Sequence, residues 1–147
     1  MSLRYLLDTN VLSEPLRPQP DRRVLDWIEE HRGEVATAAP VWHELRFGCQ
    51  RLPPSARRQK LERYLEEVLE PALPVLPYDG QAAEWHAAER ARLTRAGQTP
   101  AFVDGQIAAV AAVHGLALAT LNLQHFRPFR GLEVEAIRSS TGDQTAP

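Results

Sequence analysis

The sequence predicts an α/β fold in which helices cover both faces of a parallel sheet of short strands. Three observations predict it. Brief apolar runs alternate with longer segments of helical periodicity, and Pro, Gly or Asp marks most junctions. The most apolar helical segment, residues 102–114, leads directly into the most apolar run, residues 116–120, as in a crossover onto a buried parallel strand.

Taken in order, residues 4–8 read as a short buried strand that ends on the carboxylate of Asp8. Thr9-Asn10 can start a helix with Val11, Leu12 and Leu16 on one face, broken by Pro18 and Pro20. Asp21 is a good N-cap for a second helix carrying Val24, Leu25, Trp27 and Ile28, and Gly33 a good stop. Residues 34–38 form a second strand. Pro40 suits the first turn of a helix over 41–50, with Val41, Leu45 and Phe47 apolar and Glu44 near its start. Beyond Pro53-Pro54-Ser55 a charged helix spans about 56–70, with Leu61, Leu65, Val68 and Leu69 expected inward. Residues 75–77 make a third, brief strand, and the Ala-rich stretch 79–96 with Trp85 and Leu93 reads as helix ended by Gly97. The helix over 102–114 is apolar nearly all round, so it should be buried, with Gly115 as its cap. Residues 116–120 are the central strand, and a weaker one over 132–137 closes a single domain, 1–137. Residues 138–147 form a polar tail expected to be disordered.

Composition excludes several classes. The 147 residues are 44% apolar, enough for one domain with its own core. Cys49 is the only cysteine, which rules out an internal disulfide and multi-cysteine zinc motifs, and fits a reducing, cytoplasmic setting. No apolar stretch is long enough to span a membrane, and the run 3–7 is stopped by Asp8 before it could act as a signal peptide. With 17 Lys plus Arg against 19 Asp plus Glu, a general basic coat is absent and any nucleic-acid contact must be local. Lys60 is the one lysine; the remaining cations are Arg, whose planar fork matches phosphate oxygens.

In parallel α/β folds, ligands sit at the carboxyl ends of the strands. Asp8 follows the first strand, Glu44 lies in the helix after the second, Asn122 follows Thr120, and Asp104 opens the buried helix that leads into that strand. Three carboxylates gathered without an adjacent lysine raise one another's pKa, and a divalent cation resolves the repulsion. Oxygen donors suit magnesium or manganese rather than zinc. Each residue alone has a simpler role: Asp8 as a helix cap, Glu44 and Asp104 beside a helix N-terminus, Asn122 in a turn. Their joint placement points to a site.

The segments Leu6-Leu7-Asp8-Thr9-Asn10-Val11-Leu12-Ser13-Glu14, Glu44-Leu45-Arg46-Phe47-Gly48, Asp104-Gly105-Gln106-Ile107-Ala108-Ala109 and Thr120-Leu121-Asn122 together resemble a PIN domain, most closely the VapC and FitB type toxins of prokaryotic toxin–antitoxin pairs. The resemblance covers residues 3–137 and implies a PIN-like three-layer α/β/α sandwich with an acidic pocket at the carboxyl edge of the sheet. It implies that Asp8, Glu44 and Asp104 are metal ligands and that Asn122 holds a fourth catalytic position, often Asp in relatives. Thr120 matches a supporting hydroxyl, and Thr9 or Glu14 would lie just behind the ligands. Two departures stand out: the amide at Asn122 lowers the charge of the site, and His125-Phe126 stands where relatives often carry an acidic residue before Phe.

The resemblance further implies hydrolysis of an RNA phosphodiester by metal-activated water, using Mg2+ or Mn2+. It implies a homodimer and a small antitoxin protein seated in a groove, for which the apolar residues Val11, Leu12, Trp27, Trp42, Phe47 and Leu65 are candidates alongside their ordinary role in the core. Arg46, Arg90, Arg92 and Arg95 are candidates for holding RNA. His31 and His114 fit helix ends, His43 and His86 lack ligand spacing, and Cys49 reads as a small buried apolar residue. The competing class is a PIN-like module that binds RNA or a partner without turnover. Phosphatase and receiver-type readings lack parts, since Asn10 stands where a second acid is needed and Lys60 lies mid-chain.

Overall fold

The computed structural model describes residues 2–138; the expected polar tail therefore lies, from residue 139 on, outside the described residues. Five strands build one parallel sheet in the order β3-β2-β1-β4-β5, with β1 (Tyr5–Leu7) in the middle, β2 (Val35–Ala38) and β3 (Val75–Leu76) to one side, and β4 (Ala117–Thr120) and β5 (Val134–Ala136) to the other. Helices cover both faces, as the sequence predicts. Every residue of β1, β2 and β4 is buried, which is why these strands read as unbroken apolar runs rather than alternating ones. The edge strands β3 and β5 are partly exposed, and their sequence signal is correspondingly weak.

The chain winds outward from β1 through β2 to β3, then returns to the far side of β1 for β4 and β5. The winding thus reverses between β1 and β4, and a crevice opens at their carboxyl ends. Two threonines from the flanking strands fasten this point. The buried Thr37 hydroxyl donates to the Leu7 carbonyl at 2.9 Å, and Thr120 does the corresponding service one residue further on.

The helices are α1 (Thr9–Ser13), α2 (Arg22–Glu30), α3 (Ala39–Gln50), α4 (Ala56–Arg63), α5 (Glu70–Ala72), α6 (Gly80–Arg95), α7 (Phe102–Val113) and α8 (Leu123–Phe126). Among the described residues no helix is long and apolar enough to cross a membrane. Asp21, Ser55 and Asp79 cap α2, α4 and α6 through side-chain oxygens. The first helix is shorter than its apolar face suggests: Pro15 tightens residues Glu14–Leu16 into a 3-10 turn. One-turn helix α8 was not legible, because four residues are too few to display a period.

One apolar residue of α3 lies off the core, and one inward assignment is corrected. Phe47 is 60% exposed, since the buried face of α3 is Val41, Leu45 and Cys49, and a residue two places from Leu45 points the other way. Val68 is 55% exposed, because the chain opens into a π-helical stretch over Tyr64–Leu69. Its wider turn keeps Leu65 and Leu69, four apart, on the core side and carries the position three after Leu65 away from it. Of the six residues named for an apolar groove, Val11, Leu12 and Leu65 are core, Trp27 and Trp42 pack against it, and only Phe47 is free on the surface.

Helix α7 is buried as expected, and a glycine sets how closely α6 approaches it. A Cβ on Gly105 would come within 2.2 Å of His86 Nε2. That imidazole is itself buried, shares a hydrogen bond between Nδ1 and the Tyr78 hydroxyl over 2.8 Å, and lies against the Phe102 ring. Burial, with Arg90 nearby, holds it below its ordinary pKa, so it packs as a neutral ring. Moving the ring aside would disturb its contacts with Tyr78 and Phe102. Gly105→Ala is expected to cost about 1–3 kcal/mol of stability through this overpacking; urea unfolding measures it, and an unchanged midpoint would mean that α6 and α7 separate freely.

Candidate active site at the carboxyl edge of the sheet

Asp8 is the first residue past β1 and is only 5% exposed. Its Oδ1 accepts the Val11 N–H at 3.3 Å, capping α1, and its Oδ2 accepts the Thr120 hydroxyl at 2.6 Å. Thr120 Oγ1 in turn accepts the Asn122 N–H at 2.9 Å, which shapes the turn out of β4. Asp8 therefore caps a helix and lines the pocket at once, so the two readings do not compete.

The other candidates arrive from separate elements. Glu44 sits one turn into α3, and its Oε2 accepts the Thr9 hydroxyl at 2.6 Å. Asp104 lies in the first turn of α7, with its Oδ2 3.6 Å from His125 Nδ1 on α8. Asn122 precedes α8 and makes no side-chain capping bond there. Asp8, Glu44, Asp104 and Asn122 all line one pocket of about 190 Å3, together with Thr9, Asn10 and His125 and an apolar rim. His125, whose reach was open from the sequence, thus faces the pocket. Glu14 does not: buried at 2% exposure, it pairs with Arg17 at 3.2 Å.

No lysine or arginine lines this pocket. Burial pushes the Asp8 carboxyl up; the Thr120 and Val11 hydrogen bonds pull against that, and the Asp104 and Glu44 carboxylates add to it. Burial likewise pushes Asp104 up, opposed by His125 and reinforced by Glu44. A cluster in which burial and like charge both disfavour ionisation is one that a cation would relieve. The carboxylate, amide and hydroxyl oxygens are donors of the kind a hard divalent ion takes, and one imidazole stands beside them. As they are placed, no three His, Cys, Asp or Glu side chains among the described residues are grouped so as to hold a metal ion by themselves. An open arrangement suits an ion such as Mg2+, which keeps waters and completes its shell with substrate phosphate.

The arginines singled out from the sequence lie elsewhere. Arg46 pairs with Glu66 at 3.5 Å, Arg90 stacks over Phe102 at 5.2 Å, and Arg95 is exposed on α6. Arg92 binds Glu89 at 2.8 Å and the Pro128 carbonyl at 2.9 Å, so it ties α6 to the chain beyond α8. His31 and His114 close α2 and α7, each with Nδ1 against a carbonyl of the last turn. Cys49 is buried.

A family model described as PIN domain matches residues 5–129. A VapC ribonuclease, Y4jK, of Sinorhizobium fredii is 37% identical over 132 residues, 88% of this chain and 94% of that protein. Toxin FitB of Neisseria gonorrhoeae is 39% identical over 124 residues, 82% and 89% of the two chains. The crystal structure of FitAcB from Neisseria gonorrhoeae superposes with a TM-score of 0.81 at 36% identity, covering 88% of this chain and 95% of that one.

The raised Asp8 pKa has a signed consequence for stability. A carboxyl whose folded pKa exceeds its ordinary 3.8 carries no penalty below that value, and a growing one as pH rises through the folded value. Asp8→Asn keeps an oxygen for Val11 and removes the charge. Metal-free Asp8→Asn is expected to be as stable as the parent protein or more so at neutral pH, and to lose less stability as pH climbs through the carboxylate range. Urea unfolding at several pH values checks this; a clearly weaker variant would mean that the lost acceptor for the Thr120 hydroxyl outweighs the relief of charge.

Proposed function

This chain belongs to the PIN-domain family, and from that premise we propose that it is a metal-dependent endoribonuclease, the toxin of a toxin–antitoxin pair, hydrolysing RNA phosphodiester bonds with water. The observation that carries the reading is the pocket in which Asp8, Glu44, Asp104 and Asn122 meet from four elements, with two carboxyls pushed up and, among the described lining residues, no lysine or arginine. The similarity to a VapC ribonuclease and to toxin FitB supports the same conclusion.

Asp8, Asp104 and Glu44 are the residues that would hold Mg2+ or Mn2+. When bound, such an ion supplies the positive charge that makes water nucleophilic near neutral pH and stabilises phosphoryl oxygens. The chain's own work is positioning. Val11 and Thr120 hold both oxygens of Asp8 in place, so that carboxylate has little freedom to lose when the site fills. Thr9 engages one oxygen of Glu44, leaving the other to complete the site or orient water. Asn122 offers a neutral oxygen, so a second ion would depend on the charge of the RNA phosphate. His125 stands beside Asp104 and steadies it from the α8 side.

The partners that follow from this reading are an RNA substrate, a small antitoxin and a second copy of the chain. Large apolar side chains exposed among the described residues, Phe47, Val68, Val75 and Phe102, are available for the protein contacts.

The test is cleavage of a mixed transfer and ribosomal RNA pool by metal-stripped protein, with and without added Mg2+ or Mn2+, beside Asp104→Asn prepared identically. Cleavage is expected only with metal, and the variant is expected to lose more than about 100-fold, the upper range for disturbing a group that merely orients a ligand. Equal cutting by both proteins would overturn the assignment. Metal binding without cutting would leave an RNA- or partner-binding module.

A further inference from the structure

We propose that Arg51, Arg57 and Lys60 hold the phosphate backbone of single-stranded RNA in a groove that feeds the carboxylate pocket; the inference rests on the nuclease reading above. The groove, about 390 Å3, runs between α1, α3 and α4 and shares Thr9 and Glu44 with the pocket. A strand lying in it is thereby led past Glu44 to Asp8 and Asp104.

The three cations are exposed and, among the described residues, none is engaged by a carboxylate. Their neighbours differ. Arg58, next in sequence to Arg57, is held by Glu62 at 2.8 Å and donates to the Leu52 carbonyl at 3.0 Å, and Arg46 is paired with Glu66. Among the described residues Arg51, Arg57 and Lys60 line the groove without a carboxylate partner; Arg63, also on α4, has none either but lies outside the groove lining. The segment that carries them is built to hold them there: Ser55 caps α4, accepting the Arg58 N–H at 3.1 Å, and so fixes Arg57 and Lys60 on successive turns.

The rest of the lining says how the strand is read. Leu16, Leu45, Leu52 and Leu61 form an apolar floor, and no aromatic ring lines the groove. Without a ring, bases have no stacking platform, so binding comes from phosphates and shape and tolerates many sequences. Several cations in one groove match a polyanion with regularly spaced charges better than a single carboxylate. The groove's outlet at a site for phosphodiester chemistry favours RNA over an acidic peptide.

The test uses the full chain with Arg51→Gln, Arg57→Gln and Lys60→Gln singly and together, and the charge-retaining Arg51→Lys/Arg57→Lys pair. Binding of a short mixed-sequence single-stranded RNA to metal-free protein is measured across salt concentrations, and thermal melting checks folding. Each lost phosphate contact is expected to reduce the slope of log Kobs against log salt by about 0.7, so the triple variant loses about 2, while the lysine pair keeps the slope. In the metal-loaded enzyme the triple variant is expected to raise KM with kcat little changed, the mark of binding lost equally from ground and transition states. An unchanged slope in a folded triple variant overturns the proposal. So does unchanged RNA binding with weakened binding of poly-glutamate, which would assign the groove to an acidic peptide. Because the slope is read without turnover, failure of the nuclease reading, seen as cleavage by Asp104→Asn, is distinguished from failure of the groove.

Discussion

The hydrogen bond from the Thr120 hydroxyl to Asp8 Oδ2, 2.6 Å long, joins residues 112 apart in sequence at the point where the sheet reverses its winding. A carboxylate placed there is cut off from water by the sheet beneath it, and its charge is expensive unless donors or a cation face it. The surrounding structure supplies the donors. Thr120 gives one from β4, the first turn of α1 gives another through Val11, and Thr37 on β2 fixes the Leu7 carbonyl just before it. The register of three strands is thereby locked around one side chain, and the direction in which α1 leaves the sheet is set by the same group.

Once Asp8 is fixed, the other acidic groups are placed by how their helices pack. Glu44 is delivered by α3, which contacts α1 and α7, and is turned by Thr9, the residue beside Asp8. Asp104 is delivered by α7, whose depth depends on Gly105 admitting the His86 ring from α6. A motif that reads as Asp-Gly in sequence is thus two separate requirements: a carboxylate for the pocket and the absence of a side chain for the packing behind it. The concentration of negative charge is an outcome of the fold, since the chain as a whole is nearly balanced at −2.

Much of this was legible in the sequence, for reasons that differ by element. The buried strands β1, β2 and β4 are read easily because both faces are covered and every residue must be apolar. The cap Asp21 and the stops Gly33, Gly97 and Gly115, these three with positive φ, announce helix ends through local chemistry, whereas the capping by Ser55 and Asp79 emerges from the structure. Phe47, read only as apolar, lies off the core face, and Val68 misled, because apolar character does not say which side of a helix faces the core. In the first case the competing face, Val41, Leu45 and Cys49, has the better spacing; in the second a π-helical turn shifts the phase.

What the sequence by itself determined was the order of the strands and longer helices, the four candidate polar positions, and the family to which they belong. These depend on periodicity, capping and motif, all properties of neighbours along the chain. Only the tertiary structure decided that Thr9 serves Glu44, that His125 reaches Asp104, and that Glu14 turns away to Arg17. It also decided which cations are spent on carboxylates and which stand free beside the pocket. The physical reason is that a side chain's partner is whatever packing brings within about 3 Å, and no local pattern records distances across a sheet or between helices remote in sequence.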